Sequence, residues 1–508
     1  MQKRPTRRQM LKLAGLLPLL AAVPYSPGSR PHAAAQSARP NVLVIVFDTL
    51  SAKHMSLYGY PRETTPNLAR FADRATVFHR HYAGGNFTSP GTSALLTGSY
   101  PWTQRAFNFL GTVKPEYERK TMFRVFRDAG YHGIVYTHNW LVAELLYRFR
   151  DDIDYWKPIH ELCLTNSEIS ERILAKDHLT ALSAERLLDI PTTNGTGSLL
   201  LSLLQNSFKS LDQDRAWASL KQSFPRGLPG SAQMMQFVLE DAIDWMESEF
   251  QRAPQPFFGY VHLWPPHDPY NPRQEFIDIY DDDGFLEAEK PAHPLGFTYG
   301  IPPNYRRHYD EFLTYADSEF GRLYDAMTRA GVLDNTLLVF TSDHGEMLER
   351  ETRGHFNPLL YEPIIRIPLI IARPGQTERV DVRTPTTCLD VLPTLASAIG
   401  QPIPDWCEGQ VLPGFGEGPS EDRSIFTLEA KSSPKHGPLS KATVSMVKGD
   451  YKLIYYRGYE KGYDNRFELY DVKNDPEELT DLYESKTGIA SELRSELLAA
   501  LERVNKPA

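Results

Sequence analysis

The fold class of this chain follows from one stretch, Asn41-Val42-Leu43-Val44-Ile45-Val46-Phe47-Asp48. Its continuous apolar run, rich in β-branched residues, is typical of a strand buried on both faces in the middle of a parallel sheet. Similar runs predict further strands at residues 130–136, 257–263, 336–342 and 364–372, and helical patterns separate them at residues 65–72, 117–129 and 309–330. This alternation predicts a doubly wound, mostly parallel α/β sheet.

Polar side chains follow several of the predicted strands. Asp48 ends the first one, His138 and Asn139 end another, and Asp343-His344 end a third. Open α/β sheets bind ligands in the crevice at the carboxyl ends of their strands, so we expect these groups to face a common site. A carboxylate beside an imidazole suits one half of a metal site. Asp48 by itself fits equally well as a cap of the next turn.

A second stretch contains candidate site residues: Asn86-Phe87-Thr88-Ser89-Pro90-Gly91-Thr92-Ser93-Ala94-Leu95-Leu96-Thr97-Gly98. The pattern predicts a loop leading into a short helix, with Thr88 and Ser89 as capping residues and Pro90 at the first helical position. Backbone N–H groups and the helix dipole would favour an anion there. An ordinary capped helix without any chemistry is the alternative that this stretch alone leaves open.

The first 36 residues have the composition of an export signal. Arg7 and Arg8 precede an apolar run at residues 11–23, which is too short to span a bilayer comfortably, and Ala33-Ala34-Ala35 offers a cleavage site. The paired arginines resemble a twin-arginine signal, so we expect the Tat export machinery as a partner and a mature protein in the periplasm or outside the cell. An uncleaved amino-terminal anchor is the alternative.

Composition excludes some classes of function. The 508 residues carry a formal net charge of −9, with no basic run, which argues against a general nucleic-acid binder. Cys163, Cys388 and Cys407 are widely separated and odd in number, so neither a disulfide framework nor a zinc cluster is predicted, although one disulfide stays open. No stretch after the leader is long and apolar enough to cross a membrane.

We predict three parts of the chain: the leader at 1–36, the main α/β domain at 37–400 with a helical insert at about 159–248, and a small α+β subdomain at 401–508. The insert would either shape access to the site or serve as a packing layer. In the last part, residues 442–448 and 451–456 predict antiparallel strands and residues 490–504 predict a helix. Lys431 and His436 from this part could reach the rim of the site.

Several motifs occur in an order that resembles a known family. They are Asp48-Thr49-Leu50, Tyr58-Gly59-Tyr60, Thr65-Pro66-Asn67-Leu68, the stretch from Thr88 to Gly98, His267-Asp268-Pro269-Tyr270, Ser342-Asp343-His344-Gly345-Glu346, Tyr361-Glu362 with Arg366-Ile367-Pro368-Leu369, and Glu468-Leu469-Tyr470-Asp471. The ordered set resembles the sulfatase family of the alkaline phosphatase superfamily. The resemblance implies an alkaline phosphatase-like fold, a metal-dependent ester hydrolase, and a carboxyl-terminal subdomain that closes the site.

The chain departs from the family pattern at three positions and in one further segment. Sulfatases carry Cys or Ser, converted to formylglycine, at the position of Thr88, and Arg at the position of Thr92. Thr49 replaces the second aspartate of many sulfatases, and the family's Gly-Lys-x-His segment has no clean counterpart near residues 136–139. A threonine nucleophile is similar to that of lipoteichoic-acid synthases and phosphoethanolamine transferases, which share the fold and transfer phosphoryl-linked head groups.

The chemistry of Thr88 favours a phosphoryl substrate. A formylglycine hydrate can expel sulfate by collapsing to an aldehyde, whereas a threonine ester must be broken by a second attack at the central atom. The hydroxyl is a poor nucleophile unless a bound cation lowers its pKa. The prediction is therefore that Asp48, Asp343 and His344 hold one divalent ion, Mn²⁺, Zn²⁺, Mg²⁺ or Ca²⁺, with Thr88 as the fourth ligand and nucleophile.

Two further histidines are predicted to be catalytic. His267 and His355 would stabilise the oxygens of the transferred group or protonate the leaving oxygen. Each could instead be a hydrogen-bonded histidine of a structural loop. The predicted substrate-binding residues are Thr92, His138 and Asn139.

Three functions are compatible with the sequence. The first is a metal-dependent hydrolase or transferase that acts on phosphate mono- or diesters through Thr88, with water or a second alcohol as acceptor. The second is a sulfuric ester hydrolase without formylglycine. The third is a non-catalytic binding protein for an anionic envelope polymer, which the threonines at positions 49 and 92 favour. In the first two cases the substrate would be a small-molecule or envelope-polymer ester, and its alcohol part and the oligomeric state stay open.

Overall fold

The computed structural model describes residues 39–166, 207, 211, 214–230, 235–296, 301–416, 418, 422–460 and 462–505. The predicted leader at 1–36 lies outside the described residues, and so do residues 167–206 of the predicted helical insert. Within the described ranges, no helix combines the length and the apolar character that a membrane span requires.

The strands, in chain order, are β1 Asn41–Phe47, β2 Thr76–Tyr82, β3 His132–Thr137, β4 Tyr155–Trp156, β5 Thr165–Asn166, β6 Met235–Gln236, β7 Phe257–Leu263, β8 Thr336–Ser342, β9 Leu348–Glu349, β10 Thr352–Arg353, β11 Arg366–Ala372, β12 Val380–Val382, β13 Thr386–Thr387, β14 Ile425–Glu429, β15 Ala442–Lys448, β16 Tyr451–Arg457 and β17 Arg466–Asp471. The α-helices are α1 Pro66–Ala72, α2 Thr88–Thr97, α3 Pro101–Gln104, α4 Met122–Asp128, α5 Trp140–Arg148, α6 Leu239–Arg252, α7 Tyr305–Arg329, α8 Glu362–Ile365, α9 Val391–Ala398 and α10 Thr487–Asn505.

A nine-stranded sheet forms the centre of the fold, in the order β12-β2-β11-β8-β1-β7-β3-β4, with β13 beside β2. The pairs among β8, β1, β7, β3 and β4 are parallel, whereas β11 runs antiparallel to both β8 and β2. The predicted doubly wound, mostly parallel sheet is confirmed. The antiparallel direction of β11 follows from the short α8 turn, which returns the chain to the sheet without a crossover helix.

Strand β1 lies in the middle of this sheet and is buried on both faces, as its composition predicts. Its alternate residues belong to two separate cores, Val42, Val44 and Val46 to one and Leu43, Ile45 and Phe47 to the other. Helices α2, α4, α5 and α9 pack on the first face, and α1, α6 and α7 pack on the second. Because successive side chains of β1 point to opposite faces of the sheet, the strand packs against both layers of helices.

The strand register brings the carboxyl ends of the parallel strands to one edge of the sheet. Phe47 of β1 pairs with Ser342 of β8 and with Leu263 of β7, and Thr137 of β3 pairs with His262 of β7. Any side chain that directly follows one of these strands must therefore lie near the others.

The carboxyl-terminal part contains a four-stranded antiparallel sheet in the order β14-β15-β16-β17, and α10 packs against it. Its edge strand meets the main domain through a parallel bridge between Gly85 and Leu428. Leu428 N–H donates to the Gly84 carbonyl at 3.0 Å, and the Thr427 hydroxyl donates to the Ala83 carbonyl at 2.6 Å. Strand β14 is thus fixed beside the loop that leads into α2.

Candidate active site

Four polar side chains meet where β1, β7 and β8 end: Asp48, His262, Asp343 and His344, all of them completely buried. One ligand atom from each of Asp48, His262 and Asp343 lies within 4.8 Å of the other two. His344 Nε2 lies 3.6 Å from Asp48 Oδ1 and 3.4 Å from Asp343 Oδ2. His262 Nε2 lies 3.6 Å from Asp48 Oδ2 and 3.8 Å from Asp343 Oδ2. We call these four residues the acid–imidazole cluster.

Both imidazoles of the cluster are oriented by a bond at the opposite nitrogen. His344 Nδ1 lies 2.9 Å from the Gly345 carbonyl oxygen, which can only accept, so Nδ1 carries the proton. His262 Nδ1 lies 3.1 Å from the Tyr260 hydroxyl. Each ring therefore turns Nε2 toward the carboxylates, the arrangement in which a neutral histidine serves as a metal ligand.

Three atoms of the cluster lack a partner. Asp48 Oδ1, Asp343 Oδ2 and His262 Nε2 form no hydrogen bond with any residue in the described ranges. Two acids buried side by side without compensation would be costly, and a divalent cation satisfies all of these atoms at once. The donor set thus fits a cation.

The pKa values of the two acids move in opposite directions. Burial raises the pKa of Asp343 well above its ordinary value, and the charge of Asp48 adds to this effect. Burial also raises the pKa of Asp48, but the close approach of the His262 imidazole and the charge of His267 outweigh burial and leave this pKa below its ordinary value. The two carboxyl groups therefore compete for ionisation when no cation lies between them.

Thr88 lies beside the cluster at the first turn of α2 and is 2% exposed. Its Oγ1 lies 3.5 Å from His344 Nε2, and Asn139 Nδ2 donates to it at 3.4 Å. Asn139 Nδ2 also donates to Asp48 Oδ2 at 2.5 Å, so this amide links the hydroxyl to the cluster. The expectation that Pro90 begins the helix is wrong, because α2 starts two residues earlier and its N-cap, Phe87, forms no side-chain cap.

Gly91 brings α2 close to the end of β8. A Cβ atom at this position would overlap the Asp343 carbonyl oxygen and lie 2.9 Å from the carbonyl carbon. Both atoms belong to the backbone, which cannot move aside easily. The absence of a side chain at Gly91 thus permits Thr88 to reach the cluster.

The two predicted catalytic histidines are adjacent. The His355 ring centroid lies 4.5 Å from that of His344 and 5.0 Å from that of His267. Burial and the charge of His267 lower the pKa of His355 to about 3, whereas the pKa of His267 rises to about 10, because its hydrogen bond to Asp268 and the charge of Asp48 outweigh burial. At neutral pH His267 is therefore protonated and His355 is neutral.

The predicted substrate-binding residues have different surroundings. Asn139 contacts both Thr88 and Asp48, as described above. Thr92 is buried one turn further along α2, with its hydroxyl near that of Tyr260. The His138 ring stacks on Phe237 with centroids 3.8 Å apart, and its Nδ1 accepts from the Trp264 N–H at 3.5 Å. The structure thus brings Asn139 to Thr88 and turns His138 toward packing contacts.

Two residues near the centre were not assigned from the sequence. His262 lies inside the predicted strand at 257–263, and Glu346 belongs to a quoted motif but received no role. Glu346 Oε1 lies 3.2 Å from His355 Nδ1, and burial raises the pKa of this acid to about 8. An imidazole within an otherwise apolar strand is the signal that could have identified His262, because a buried polar ring requires a partner.

Comparison with known proteins identifies the family. A family model described as Sulfatase matches residues 40–401, and one described as N-sulphoglucosamine sulphohydrolase, C-terminal, matches residues 352–506. The chain belongs to the sulfatase family. It is accordingly a hydrolase of the sulfatase superfamily, whose enzymes use a divalent metal.

Individual relatives of this sulfatase-family chain are distant. It is 26% identical to a choline-sulfatase from Rhizobium meliloti (strain 1021) over 489 residues, which covers 89% of this chain and 84% of the relative. Among solved structures, phosphonate monoester hydrolases from Silicibacter pomeroyi and Agrobacterium radiobacter superpose with TM-scores of 0.63 and 0.64, at 21% and 19% identity. Each superposition covers 92% of this chain and 96% of the other, and it supports the fold.

Proposed function

We propose that this protein cleaves phosphoryl esters, namely phosphate mono- or diesters, with Thr88 as the nucleophile and a divalent cation in the acid–imidazole cluster. The observation that carries the proposal is the contact of the Thr88 hydroxyl with His344 Nε2, at the buried meeting point of Asp48 and Asp343. The Thr88 hydroxyl thus faces the same space as Asp48 Oδ1, Asp343 Oδ2 and His262 Nε2, the three cluster atoms that have no hydrogen-bond partner in the described ranges.

The reaction would take two displacements. The Thr88 hydroxyl, whose pKa a bound cation would lower, releases its proton to solvent, and its oxygen attacks phosphorus. The bond from phosphorus to the alcohol oxygen breaks, and the leaving oxygen takes a proton from the His267 imidazolium. A water or a second alcohol then attacks the phosphothreonine and gives its proton to the now neutral His267, while the Thr88 oxygen leaves phosphorus and takes up a proton from solvent, which returns Thr88 to its free form. Water as acceptor makes the protein a hydrolase, and an alcohol makes it a transferase.

Other residues would support these steps. Asn139 orients the Thr88 hydroxyl through its amide, and His267 and His355 offer N–H groups to the oxygens of the transferred group. The bound cation would lower the pKa of the Thr88 hydroxyl and withdraw charge from the phosphoryl group.

The ligand atoms of the acid–imidazole cluster indicate which cation it would bind best. Asp48 and Asp343 offer oxygens, and His344 together with His262 offers two imidazole nitrogens. Nitrogen ligands suit Zn²⁺ and Mn²⁺ better than Ca²⁺ or Mg²⁺, which prefer oxygen. We therefore expect Zn²⁺ or Mn²⁺ to support activity best.

The test is an assay of purified protein with aryl phosphomonoester, phosphodiester and sulfate ester substrates, with each of the four cations. We expect phosphoryl ester cleavage, and we expect Thr88→Ala to lower kcat at least about a thousandfold, since the attacking atom is lost. Ser89→Ala is the matched control, because this neighbouring hydroxyl is equally buried. A phosphate-sized mass adduct on Thr88 during turnover would identify the intermediate.

A sulfuric ester hydrolase is the second candidate, favoured by the family match and by the similarity to a choline-sulfatase. Sulfate release that survives Thr88→Ala would reject the Thr88 mechanism and support this candidate. Specific binding of anionic polymer without turnover of any ester would instead support the non-catalytic alternative.

The proposal extends to the arrangement of the chain and its location. We propose that residues 1–36 are a twin-arginine leader and that the mature protein acts in the periplasm or outside the cell. Residues 37–400 would then form the catalytic domain and residues 401–508 the subdomain beside the site.

A further inference from the structure

A lysine of the carboxyl-terminal part lies beside the proposed active site. Lys431 follows β14, whose bridge to Gly85 is parallel to the loop before α2. Because Gly85 and Leu428 form this parallel bridge, the two segments run side by side in the same direction. Thr88 comes three residues after Gly85 and Lys431 comes three residues after Leu428, so both lie on the same side of the bridge.

The ammonium group of Lys431 contacts the segment before α2, at Phe87, and the loop that carries His355 and Phe356. Its Nζ lies 4.6 Å from the ring centroid of Phe87 and 5.2 Å from that of Phe356. It also lies 3.5 Å from the carbonyl oxygen of His355, the residue whose ring faces the centre. Lys431 is thus one residue layer away from the reacting atoms.

The pairing of this ammonium is weak. Its side chain is 14% exposed, and the nearest carboxylate atom in the described ranges, Glu429 Oε1, lies 3.9 Å away. Glu429 is shared with other donors, since the Tyr459 hydroxyl donates to its Oε2 at 2.6 Å and the Lys431 backbone N–H donates to its Oε1 at 3.0 Å. Burial lowers the pKa of Lys431 to about 8, as expected for an ammonium that lacks a close counter-ion.

A cavity of about 530 Å³ opens next to this lysine. Its lining includes Phe356, Tyr459, the two lysines Lys431 and Lys441 and the two acids Glu429 and Glu460, whereas Thr88, His267 and His344 are not part of it. Phe356 is 40% exposed, which gives the cavity an aromatic wall beside the site. The cavity is therefore suited to the part of a substrate that extends away from the transferred group.

We propose that Lys431 is a specificity-determining residue that binds a negatively charged substituent on the alcohol part of the ester. The proposal rests on the function proposed above and adds the chemistry of the leaving alcohol. A buried ammonium between two aromatic faces would favour an anionic alcohol and disfavour a cationic one, because the faces are already occupied by a positive charge.

The test compares two substrates that differ in one charge. They are the phosphoryl esters of 4-hydroxyphenylacetate and of 4-hydroxyphenylacetamide, or the sulfate esters if only sulfate is released. For the wild-type protein we expect kcat/KM to be about tenfold or more higher for the carboxylate, the usual effect of a partly buried charge-assisted pair. Lys431→Met should reduce this ratio to near one, and Lys431→Arg should retain most of it.

Lys435→Met is the matched control, because this lysine lies on the same loop and outside the cavity. A wild-type ratio near one, or a ratio that survives Lys431→Met, would overturn the inference while leaving the Thr88 mechanism in place. If neither ester is cleaved, the proposed function fails. In that case saturation-transfer NMR of free 4-hydroxyphenylacetate against its amide, with the wild type and Lys431→Met, still decides the role of Lys431.

Discussion

Thr49 adopts a φ of 60°, a left-handed conformation that a β-branched residue rarely takes. Its N–H donates to Asp343 Oδ1 at 3.4 Å, and its carbonyl accepts from the Tyr309 hydroxyl at 2.8 Å. Hydrogen bonds at both the N–H and the carbonyl of Thr49 thus hold this strained conformation in place, directly after Asp48. Backbone strain of this kind clusters at functional sites, where surrounding structure fixes a costly conformation.

Lys431 gives a prediction at the residue scale. At pH 7 we expect Lys431→Met to raise the free energy of unfolding by about 1 kcal/mol, because methionine fits between Phe87 and Phe356 without a buried charge. The folded-state pKa of Lys431 is lowered to about 8 from 10.5, so the penalty is complete below pH 8 and is lost as the pH rises from 8 to 10.5. The advantage of the variant should therefore shrink over this range.

Urea unfolding of the wild type and of Lys431→Met at about pH 7 and about pH 9.5, on either side of the lowered pKa, measures this difference. Lys435→Met should show no comparable gain. A loss of stability in Lys431→Met at the lower pH would mean that the lysine serves the fold rather than the substrate.

At the scale of elements, the packing of α2 on the end of β8 gives the next prediction. Gly91→Ala should displace α2 from Asp343, since a Cβ there would overlap the Asp343 carbonyl group. We expect a loss of at least about a hundredfold in kcat/KM, because misplacement of a nucleophile by about 1 Å has effects of that order.

Gly488→Ala is the matched control for Gly91→Ala. Gly488 lies in α10, where a Cβ atom would meet nothing within 4 Å among the described residues beyond its chain neighbours and its own helix backbone, so the substitution should be neutral or stabilise by up to about 1 kcal/mol. Ester hydrolysis and circular dichroism of both variants test the expectation. Full activity in Gly91→Ala would show that α2 need not approach Asp343.

A buried charge cluster joins the carboxyl-terminal sheet to α8. Lys452 Nζ on β16 lies 3.1 Å from Glu362 Oε1 and 2.5 Å from Glu478 Oε1, and all three side chains are almost inaccessible. Lys452→Met should cost about 3–5 kcal/mol in unfolding free energy, since two acids lose their counter-ion. The triple variant Lys452→Met, Glu362→Gln, Glu478→Gln should recover most of this loss.

Denaturant unfolding measures these changes. Lys448→Met provides the comparison, because its pairs with Glu492 and Glu496 lie at the surface and should be worth less than about 1 kcal/mol. Equal effects of Lys448→Met and Lys452→Met would contradict the role of the buried cluster.

At the scale of the whole molecule, stability should depend on the cation. The acid–imidazole cluster draws on three separate strands of the main sheet, so the folded chain binds the ion and the unfolded chain does not. A free Zn²⁺ or Mn²⁺ concentration of about a hundred times Kd should raise the free energy of unfolding by about 2.7 kcal/mol.

Thermal unfolding with and without a chelator tests this dependence, and calorimetric titration gives Kd. His262→Gln should weaken binding about tenfold or more if this ring is a ligand. His81→Gln is the control, because His81 is equally buried but lies on β2, away from the cluster. Equal Kd values for the wild type and His262→Gln would remove His262 from the donor set.

The sequence predicted much of the candidate site. Asp48 and the pair Asp343-His344 each follow an apolar run long enough to predict a buried strand, and the resemblance to the sulfatase family pointed to Thr88 as the nucleophile. His262 could not be assigned in this way, since a histidine within a strand shows its partners only when the neighbouring strands are in register. Lys431 lies more than three hundred positions from Thr88, and only the bridge between β14 and Gly85 makes them neighbours.

The sequence by itself determined the fold class, because the alternation of apolar strands with amphipathic helices is a local property that each segment carries alone. It also determined which residues follow the central strands, and thus the edge of the sheet at which chemistry would lie. The tertiary structure decided which side chains share that edge with Thr88, how the imidazoles are turned, and which cavity adjoins them. These depend on strand register, close glycine contacts and packing between distant segments, which no local pattern encodes.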